Sequence, residues 1–309
     1  MASTFTVAKT AVLYMQPLYF IGFRMAIAGI ILLAYVMLFK REKIAWHRAD
    51  LPLFAQIALF HIYCAYVFEF WGLQYISSAK ACLLYNLSPF FTALFSYFLF
   101  KYTLSYCQWL GLIVGFCAII PIFASHSLQE SLSNITAFSV GEICMLIAVA
   151  SAAYGWIVMK KLVVDKGYSS LWINGTGMFI GGIAALIQAV VLYGFHPLMP
   201  KHGVIERWSF LLLPSHLDYY QTALVISVVC MLFLIIVTNL IGYNLYAYLL
   251  NVYSPTFLSF AGSMTPLFAV VFGWFLLGEP LTMPFFVSLA MTVLGLYLFY
   301  GDEIRVVRS

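Results

Sequence analysis

The stretch SPFFTALFSYFLF at 88–100 recurs in a similar form as TPLFAVVFGWFLL at 265–277, 177 positions further along the chain. Both copies begin with a hydroxyl residue and a proline, and each is followed by a polar turn and another apolar stretch. The residues that match at this separation are Ser77 with Ser254, Pro89 with Pro266, Phe91 with Phe268, Phe95 with Phe272, Phe98 with Phe275, and Leu99 with Leu276. Such self-similarity predicts that the chain contains two related halves.

The composition places both copies in a membrane. Hydrophobic residues make up 64% of the chain and charged residues 8%, whereas a soluble domain has about 25% charged residues. Apolar runs of about 20 residues recur along the chain, and each is long enough to cross the roughly 30 Å hydrocarbon layer as a helix. The sequence therefore predicts an integral membrane protein, and a duplicated membrane chain is typical of carriers whose two halves face each other.

We predict an all-α fold of ten transmembrane helices, five in each repeat. Their predicted ranges are 2–15, 17–39, 51–73, 77–100, 105–124, 140–162, 170–195, 219–250, 254–278 and 284–301. The predicted organisation is a first repeat at 1–124, an outer connecting loop at 125–139, a second repeat at 140–301 and a cytoplasmic tail at 302–309.

The distribution of basic residues outside the spans predicts the orientation, because cytoplasmic loops carry an excess of Lys and Arg. One side of the membrane has Lys201 and Arg207. The other side collects Lys40, Arg41, Lys43, Arg48, Lys101, Lys160, Lys161, Lys166, Arg305 and Arg308. Both termini are therefore expected in the cytoplasm, with the protein in the cytoplasmic (inner) membrane. Since each repeat has an odd number of spans, the two repeats are expected to be inverted relative to each other.

The first predicted helix is short. Aligning Lys9 with Lys160, 151 positions away, also matches Ala2 with Ala153, Phe5 with Trp156, and Val7 with Val158. On this alignment the partner helix, which starts near 140, has more than ten residues that the N-terminus lacks. Either the first helix is truncated or the true start lies upstream. The N-terminus shows no signal peptide with a charged start and a small-residue cleavage site.

Glycine and proline predict how the helices pack and bend. The pairs Gly111-xxx-Gly115 and Gly177-xxx-Gly181 predict close approach of neighbouring helices. Pro89 and its counterpart in the second repeat free backbone carbonyls, which gives either a plain kink or a bend that opens one half against the other.

Several segments resemble the EamA branch of the drug/metabolite transporter superfamily. They are FTVAK at 5–9, PLYFIGFR at 17–24, WGLQYISSAKA at 71–81, LSPFFTAL at 87–94, the stretch 254–266, and FLLGEPLT at 275–282. The resemblance covers nearly the whole chain, with Lys101-Tyr102 departing from the Gly-Glu pair often found after the first copy. It implies a ten-helix inverted-repeat carrier of small organic metabolites such as amino acids, nucleosides or adenosyl compounds.

Four charged residues, Lys9, Arg24, Glu69 and Lys80, lie within or at the ends of predicted spans. A charge in the bilayer costs roughly 2.5 to 3.5 kcal/mol or more, so each requires a partner or a function. The predicted topology brings all four to the outer half of the membrane. They form either an ion-paired cluster that holds the first four helices together, with Glu69 neutralised by Arg24 or Lys80, or the lining of an outer vestibule that binds a charged substrate. Lys80 can also reach the interface.

Uncharged polar residues at mid-depth are the other candidates for a central cavity, because a buried amide or phenol requires a partner in hydrocarbon. They are Tyr85, Asn86, Tyr154, Asn239, Tyr243 and Asn244. Asn239 and Asn244 cannot both face the same direction well, so one of them is expected to be structural. His61 lies on one stripe of its helix with Glu69, where it serves in packing or in proton relay.

Aromatic residues make up 18% of the chain, and most are expected to face lipid or the interfaces. A few in the cavity, such as Tyr85, Tyr154 and Trp156, can stack on a planar ring or bind a cation. These features suit an adenine-bearing sulfonium such as S-adenosylmethionine, with Glu69 as the counter-charge. The complete set of predicted substrate-binding residues is Lys9, Arg24, Glu69, Lys80, Tyr85, Asn86, Tyr154, Trp156, Asn239 and Tyr243.

Missing motifs narrow the function further. The sequence has no GxxxxGK[ST] loop, no HExxH, no GxSxG and no paired cysteines at metal-ligand spacing. We therefore expect a secondary transporter that works by alternating access on a small molecule, without cofactor, metal, nucleic acid or ATP hydrolysis. The alternatives are a flippase for lipid-linked sugars and a membrane-embedded enzyme that uses His61 and Glu69 as acid and base.

Overall fold

The computed structural model describes residues 2–40, 47–100, 105–118, 120–121, 139–198, 219–253, 255, 258 and 283–308. Throughout these ranges the chain folds into helices, with an isolated β-bridge between Met15 and Leu198. The helices of the first half are α1 Ala2–Ala11, α2 Pro17–Tyr35, α3 Arg48–Gly72, α4 Ser78–Phe100 and α5 Tyr106–Cys117. Those of the second half are α6 Val140–Lys160, α7 Ser170–Tyr193, α8 Tyr219–Leu249 and α9 Met283–Arg308.

Seven helices are long and apolar enough to cross a membrane within the described ranges. They confirm seven of the predicted spans and extend over Pro17–Phe39, Arg48–Gly72, Lys80–Phe98, Val140–Asp165, Ser170–Tyr193, Tyr220–Leu249 and Met283–Gly301.

The three remaining predicted spans differ from these seven. Helix α1 has 10 residues, which at 1.5 Å per residue covers about half of the hydrocarbon layer. Helix α5 is described over 12 residues. The predicted span 254–278 lies almost entirely outside the described residues.

Helices α2 and α7 pack through glycines on both sides of their contact. A Cβ added to Gly29 would meet the backbone of Phe179, and one added to Gly182 would meet the backbone of Ala26. About two turns before these glycines on their own helices, Gly22 faces Leu186 and Gly175 faces Leu33. Because the glycines have no side chain at these points, the helices approach closely and gain van der Waals contact in place of a hydrophobic driving force.

Helices α5 and α9 pack in the same way. A Cβ on Gly111 would meet the carbonyl oxygen of Gly295 and the backbone of Phe299, and one on Gly295 would meet the backbone of Gly115. Close approach was predicted for the pair at 111 and 115, and this contact confirms it. The pair at 177 and 181 also faces a neighbour closely, the side chains of Ile57 and Ile62 on α3.

Two helices contain an eight-residue π-helical segment at mid-length. In α3 the segment is Ile57–Cys64, and in α8 it is Ile235–Gly242. A π segment widens the helix by one residue per turn and is frequent at functional sites. Helix α4 is interrupted instead, since its α-helical parts Ser78–Tyr85 and Ser88–Phe100 are separated by a turn immediately before Pro89.

Polar side chains that accept hydrogen bonds from backbone N–H groups cap the starts of two helices. The Ser77 hydroxyl accepts from the backbone N–H of Lys80 at the start of α4. At the start of α6, the Glu142 carboxylate accepts from the N–H of Ser139 at 3.0 Å. Each bond satisfies a donor that the first helical turn leaves free.

At the opposite end of α6, Lys166 forms an ion pair with Asp50 at 2.9 Å, and the Tyr168 hydroxyl donates to the same carboxylate at 3.0 Å. The hydrogen bond to Asp50 raises the pKa of the Lys166 ammonium. These contacts connect the chain after α6 to the start of α3.

Candidate functional site

A cavity lies at the centre of the bundle, between α1, α2, α3, α4, α6 and α8. The lining residues are Thr4, Phe5, Ala8, Arg24, Tyr66, Glu69, Cys82, Tyr85, Asn86, Ser88, Ala152, Trp156, Leu234, Thr238, Tyr243, Tyr246 and Leu258.

Arg24 supplies the positive charge of the cavity wall. Its side chain is 2% exposed, and its Nε donates a hydrogen bond to Oδ1 of Asn239 at 2.8 Å. The guanidinium carbon lies 4.8 Å from the ring centroid of Tyr66 and 5.8 Å from that of Phe70. The two rings stabilise the buried cation through their negative faces. The Asn239 side-chain amide fixes the Nε edge of the guanidinium. The remaining guanidinium donors suit a carboxylate.

Glu69 supplies the negative charge. Its carboxylate accepts a hydrogen bond from the Tyr85 hydroxyl at 3.2 Å, and the Tyr85 ring packs edge-on against Phe5 with centroids 5.2 Å apart. Within the described ranges, Glu69 forms no direct ion pair with Arg24 or Lys80. A carboxylate held by one phenol and facing a cavity retains capacity to accept from a cationic ligand.

A cluster of aromatic rings forms a second part of the lining. Trp156 and Tyr246 lie with their ring centroids 3.9 Å apart and their planes at 30°, and Tyr243 contacts Trp156 at 5.1 Å. Tyr66 joins this cluster to the charged residues, because its ring is 6.2 Å from Tyr243 and also lies under the guanidinium of Arg24. The cavity thus combines two opposite charges with a flat aromatic surface.

The protein-family comparison matches residues 1–124 and 139–301 to the EamA-like transporter family. The chain belongs to this family. A curated protein of Chlamydia muridarum, named S-adenosylmethionine/S-adenosylhomocysteine transporter, is 32% identical over 98% of this chain and 89% of its own length. A protein of the same name from Chlamydia trachomatis serovar L2 is 30% identical over 98% of this chain and 86% of its own length.

The fold is also found among solved structures. One, described as "Crystal structure of protein", superposes with a TM-score of 0.61 over 96% of this chain and 92% of its own, at 14% identity. The family and the apolar helices establish a multi-pass membrane transporter with a small-molecule substrate.

Six of the ten predicted substrate-binding residues line the cavity of this EamA-like transporter: Arg24, Glu69, Tyr85, Asn86, Trp156 and Tyr243. The other four, Lys9, Lys80, Tyr154 and Asn239, are not among the lining residues, and substrate binding by any of the ten stays a prediction. Each of these four uses its polar group to join helices.

The two lysines of the EamA-like transporter act at helix ends. The ammonium of Lys9 donates to the carbonyl oxygens of Leu73 at 2.5 Å and Ile76 at 2.7 Å, where α3 ends. The ammonium of Lys80 forms an ion pair with the buried carboxylate of Glu142. In the expected ion-paired cluster, Lys80 is therefore not the partner of Glu69, because it pairs with Glu142 instead.

Tyr154 and the asparagines join neighbouring helices. The Tyr154 hydroxyl donates to Oε1 of Gln56 at 2.8 Å, on a different side of α6 from Trp156. Asn174 on α7 donates to Oδ1 of Asn244 at 2.9 Å, and the Asn244 amide donates back to its own helix. Asn244 is thus the structural member of the predicted pair, whereas Asn239 supports a cavity residue.

His61 is fully buried and lies behind the aromatic cluster. Its ring contacts Trp156 at 4.3 Å and Tyr243 at 5.2 Å between centroids. It therefore packs against the cavity wall without lining it. This geometry does not provide the acid and base pair with Glu69 that the enzyme alternative requires.

The cavity of the EamA-like transporter also includes residues that the sequence analysis did not select, above all Tyr66, Thr238 and Tyr246. The signal for two of them is present in the sequence. At the repeat separation of 177 positions, Tyr66 corresponds to Tyr243 and Glu69 corresponds to Tyr246. Applying the repeat to the predicted site residues would have found both tyrosines.

Proposed function

We propose that this transporter exchanges S-adenosylmethionine for S-adenosylhomocysteine across the cytoplasmic membrane. The observation that carries the proposal is the cavity in which Arg24, Glu69 and the Trp156–Tyr246 pair face the same space. Both molecules have a carboxylate, an ammonium group and an adenine ring, so each finds a partner of suitable chemistry in the wall. The two chlamydial relatives are named for these molecules.

The charge of the first substrate gives Glu69 its proposed role. S-adenosylmethionine carries a sulfonium in addition to its ammonium and carboxylate, whereas S-adenosylhomocysteine has a neutral sulfur. A buried carboxylate facing the cavity serves as counter-charge to the cationic part of the ligand. Aromatic faces such as that of Tyr66 assist, because they attract a cation and also tolerate a neutral thioether.

We further propose that the two halves are inverted repeats of five helices, at 1–124 and 140–301, with the connecting loop at 125–139 and the tail at 302–309. Paired contacts support this arrangement. In the α2–α7 interface, the Gly22–Leu186 contact is equivalent to the Gly175–Leu33 contact. Gly175 lies 153 positions after Gly22, and Leu186 lies 153 positions after Leu33. The Gly29–Phe179 and Gly182–Ala26 contacts are equivalent at the same separation of 153 positions.

The α5–α9 contact has the same reciprocal form. Gly111 meets Phe299 and Gly295 meets Gly115, and both pairs exchange under a separation of 184 positions. Reciprocal contacts of this kind are expected when two related halves face each other about a two-fold axis. The π segments of α3 and α8, which begin 178 positions apart, fit the same relation.

In the proposed transport cycle, the two halves rock about these glycine contacts and open the central cavity to one side of the membrane at a time. The distribution of basic residues supports a cytoplasmic position for both termini in this cycle. Tight glycine packing keeps each helix pair intact while the interrupted helix α4 and the π segments absorb the bend.

Uptake into liposomes that contain the purified protein tests the proposal. Vesicles preloaded with S-adenosylhomocysteine should accumulate radiolabelled S-adenosylmethionine faster than empty vesicles that contain the same protein. Parallel vesicles preloaded with methionine or adenosine distinguish an amino-acid or nucleoside carrier. Uptake that equals that of protein-free vesicles under all loading conditions would remove S-adenosylmethionine as the substrate.

A further inference from the structure

We infer that the two walls of the cavity bind the two ends of the substrate separately: α2, α3 and α4 bind the amino-acid group, and α6 and α8 bind the adenine ring. This inference rests on the proposed function, since it concerns a ligand that has an amino-acid end and a planar end. It goes further by fixing the orientation of that ligand in the cavity and by assigning a role to each wall.

The charged side chains of the described lining both come from the first half of the chain, from α2 and α3. Among the lining residues of the described chain, Arg24 on α2 is the one basic side chain and Glu69 on α3 is the one acidic side chain. Tyr85 on α4 holds the carboxylate of Glu69 at 3.2 Å. A zwitterionic amino-acid group presents one carboxylate and one ammonium, so it matches this wall in number and sign of charges.

The second half of the chain contributes aromatic rings to the lining. The rings of Trp156 on α6 and Tyr246 on α8 lie 3.9 Å apart between centroids, with their planes tilted by 30°. Tyr243, which also lines the cavity, contacts Trp156, and His61 packs behind them. The Tyr246 hydroxyl donates to the carbonyl oxygen of Pro255 at 3.3 Å, which fixes the position of its ring. A rigid surface of this kind favours stacking of a nucleobase, and such a contact is typically worth 1 to 3 kcal/mol, or about 5- to 150-fold in affinity.

The contacts between the walls place the middle of the ligand. Tyr66 touches both Arg24 and Tyr243, so the Tyr66–Tyr243 pair lies between the charged wall and the aromatic wall. In the substrate, the sulfur lies between the amino-acid group and the adenosyl group. The order of groups along the cavity therefore matches the order along the molecule, with the sulfur at the two tyrosines.

The division follows from a loss of symmetry between equivalent positions. Glu69 corresponds to Tyr246 at the separation of 177 positions, and Arg24 corresponds to Gly177 at the separation of 153 positions. Equivalent places in the two halves thus carry a charge in the first half and either a ring or no side chain in the second. A ligand cannot reverse its direction in such a cavity without losing partners for both of its ends.

Competition by fragments of the substrate tests this inference. The probe is radiolabelled S-adenosylmethionine bound to the purified full-length protein in detergent. The competitors are methionine, which has the amino-acid group alone, and 5′-methylthioadenosine, which has the adenosyl group alone. In Glu69→Gln, competition by methionine should weaken at least about tenfold while that by 5′-methylthioadenosine persists; Trp156→Leu should give the reverse.

Matched variants exclude trivial explanations. Tyr154→Leu removes an aromatic ring from the same helix as Trp156 but outside the cavity, and should change neither competition. Glu69→Asp and Trp156→Phe retain the charge or the ring and should keep most of the selectivity, also if the first two variants fold poorly. Equal weakening of both competitors in every cavity variant, or displacement by neither fragment, would overturn the inference.

Failure of the proposed function gives a different result. If the wild-type protein binds no S-adenosylmethionine, the proposed substrate is wrong. The melting temperature of the same protein with each fragment then reports on the walls directly, because a ligand that binds the folded state raises it. Stabilisation by one fragment that only the corresponding wall variant abolishes would support the division for another bipartite ligand, and its absence would refute it.

Discussion

The helix contacts of this transporter are nearly symmetric, whereas the cavity that they surround is not. Along α2 and α7, each glycine of one helix faces the same kind of neighbour as its counterpart on the other. At the cavity, the contact between Arg24 and Asn239 occupies the place that Gly177 and Ile62 occupy in the other half. Close backbone packing depends on the absence of side chains and is easily retained in both halves, but recognition of an asymmetric ligand requires different side chains at equivalent positions.

The two ion pairs at the ends of α6 also belong to the asymmetric part, and the one involving Glu142 should give the largest effect. The Glu142 side chain is 1% exposed and that of Lys80 is 15% exposed. Lys80→Met leaves the buried carboxylate without its cation, which should cost about 4 kcal/mol of unfolding free energy. Adding Glu142→Gln to this variant should restore most of the loss. A double variant no more stable than Lys80→Met, by thermal unfolding in detergent, would contradict this assignment.

The symmetric part is tested by two equivalent glycines. A Cβ in either Gly29→Ala or Gly182→Ala meets backbone atoms of the facing helix, so each variant should lose about 3 kcal/mol. The two losses should be nearly equal. Gly301→Ala is the matched control, because a Cβ there meets no atom within 4 Å. Clearly unequal losses would contradict the equivalence of the two halves at the α2–α7 contact.

A third test compares two equivalent positions whose chemistry differs. Asn239→Leu removes the acceptor of the Arg24 Nε–H and should cost about 2 kcal/mol, because a hydrogen bond to a buried charge is lost. Ile62→Leu, at the equivalent position of the first half, conserves volume and should cost less than about 1.5 kcal/mol. Substrate affinity should fall only in the first variant, and equal affinity losses in both would count against a role for the Arg24 contact.

The smallest effect is expected at the other end of α6. The side chain of Lys166 is 41% exposed, so its pairing with Asp50 is screened by water and Lys166→Met should barely change the melting temperature. Since the pKa of Lys166 is raised in the folded state, any stabilisation is complete below its ordinary pKa of 10.5 and is lost as the pH rises through the folded value. Any small difference between the melting temperatures of the two proteins should therefore be seen below this pKa and disappear at strongly alkaline pH.

Much of the fold could be predicted because the membrane imposes simple rules. An apolar run of sufficient length becomes a spanning helix, and seven predicted spans are present in the described ranges. The interruption before Pro89 and the close approach at Gly111 also follow from local chemistry. The π segments could not be predicted, since their hydrogen-bond pattern depends on tertiary contacts that an apolar sequence does not record.

The site was only partly predictable for a related reason. Hydropathy reveals that a charge lies in the membrane, but the partner of that charge is chosen by helix packing. Arg24 and Glu69 face the cavity, while Lys80 finds Glu142 at a helix end that is distant in sequence. Side-chain direction on α6 likewise separates Tyr154 from Trp156, two positions apart, and it cannot be fixed until the neighbouring helices are known.

The most direct test of the central claim asks whether the cavity opens to both sides of the membrane. Cys82 lines the cavity, and it can be made the sole thiol by replacing Cys64, Cys107, Cys117, Cys144 and Cys230 with Ala. A small, permanently charged thiol reagent that cannot cross the bilayer is applied to oriented vesicles from one side or the other. If the cavity opens to each side in turn, Cys82 should react from either side and S-adenosylmethionine should slow both reactions. Reaction from one side alone, unaffected by the substrate, would contradict alternating access.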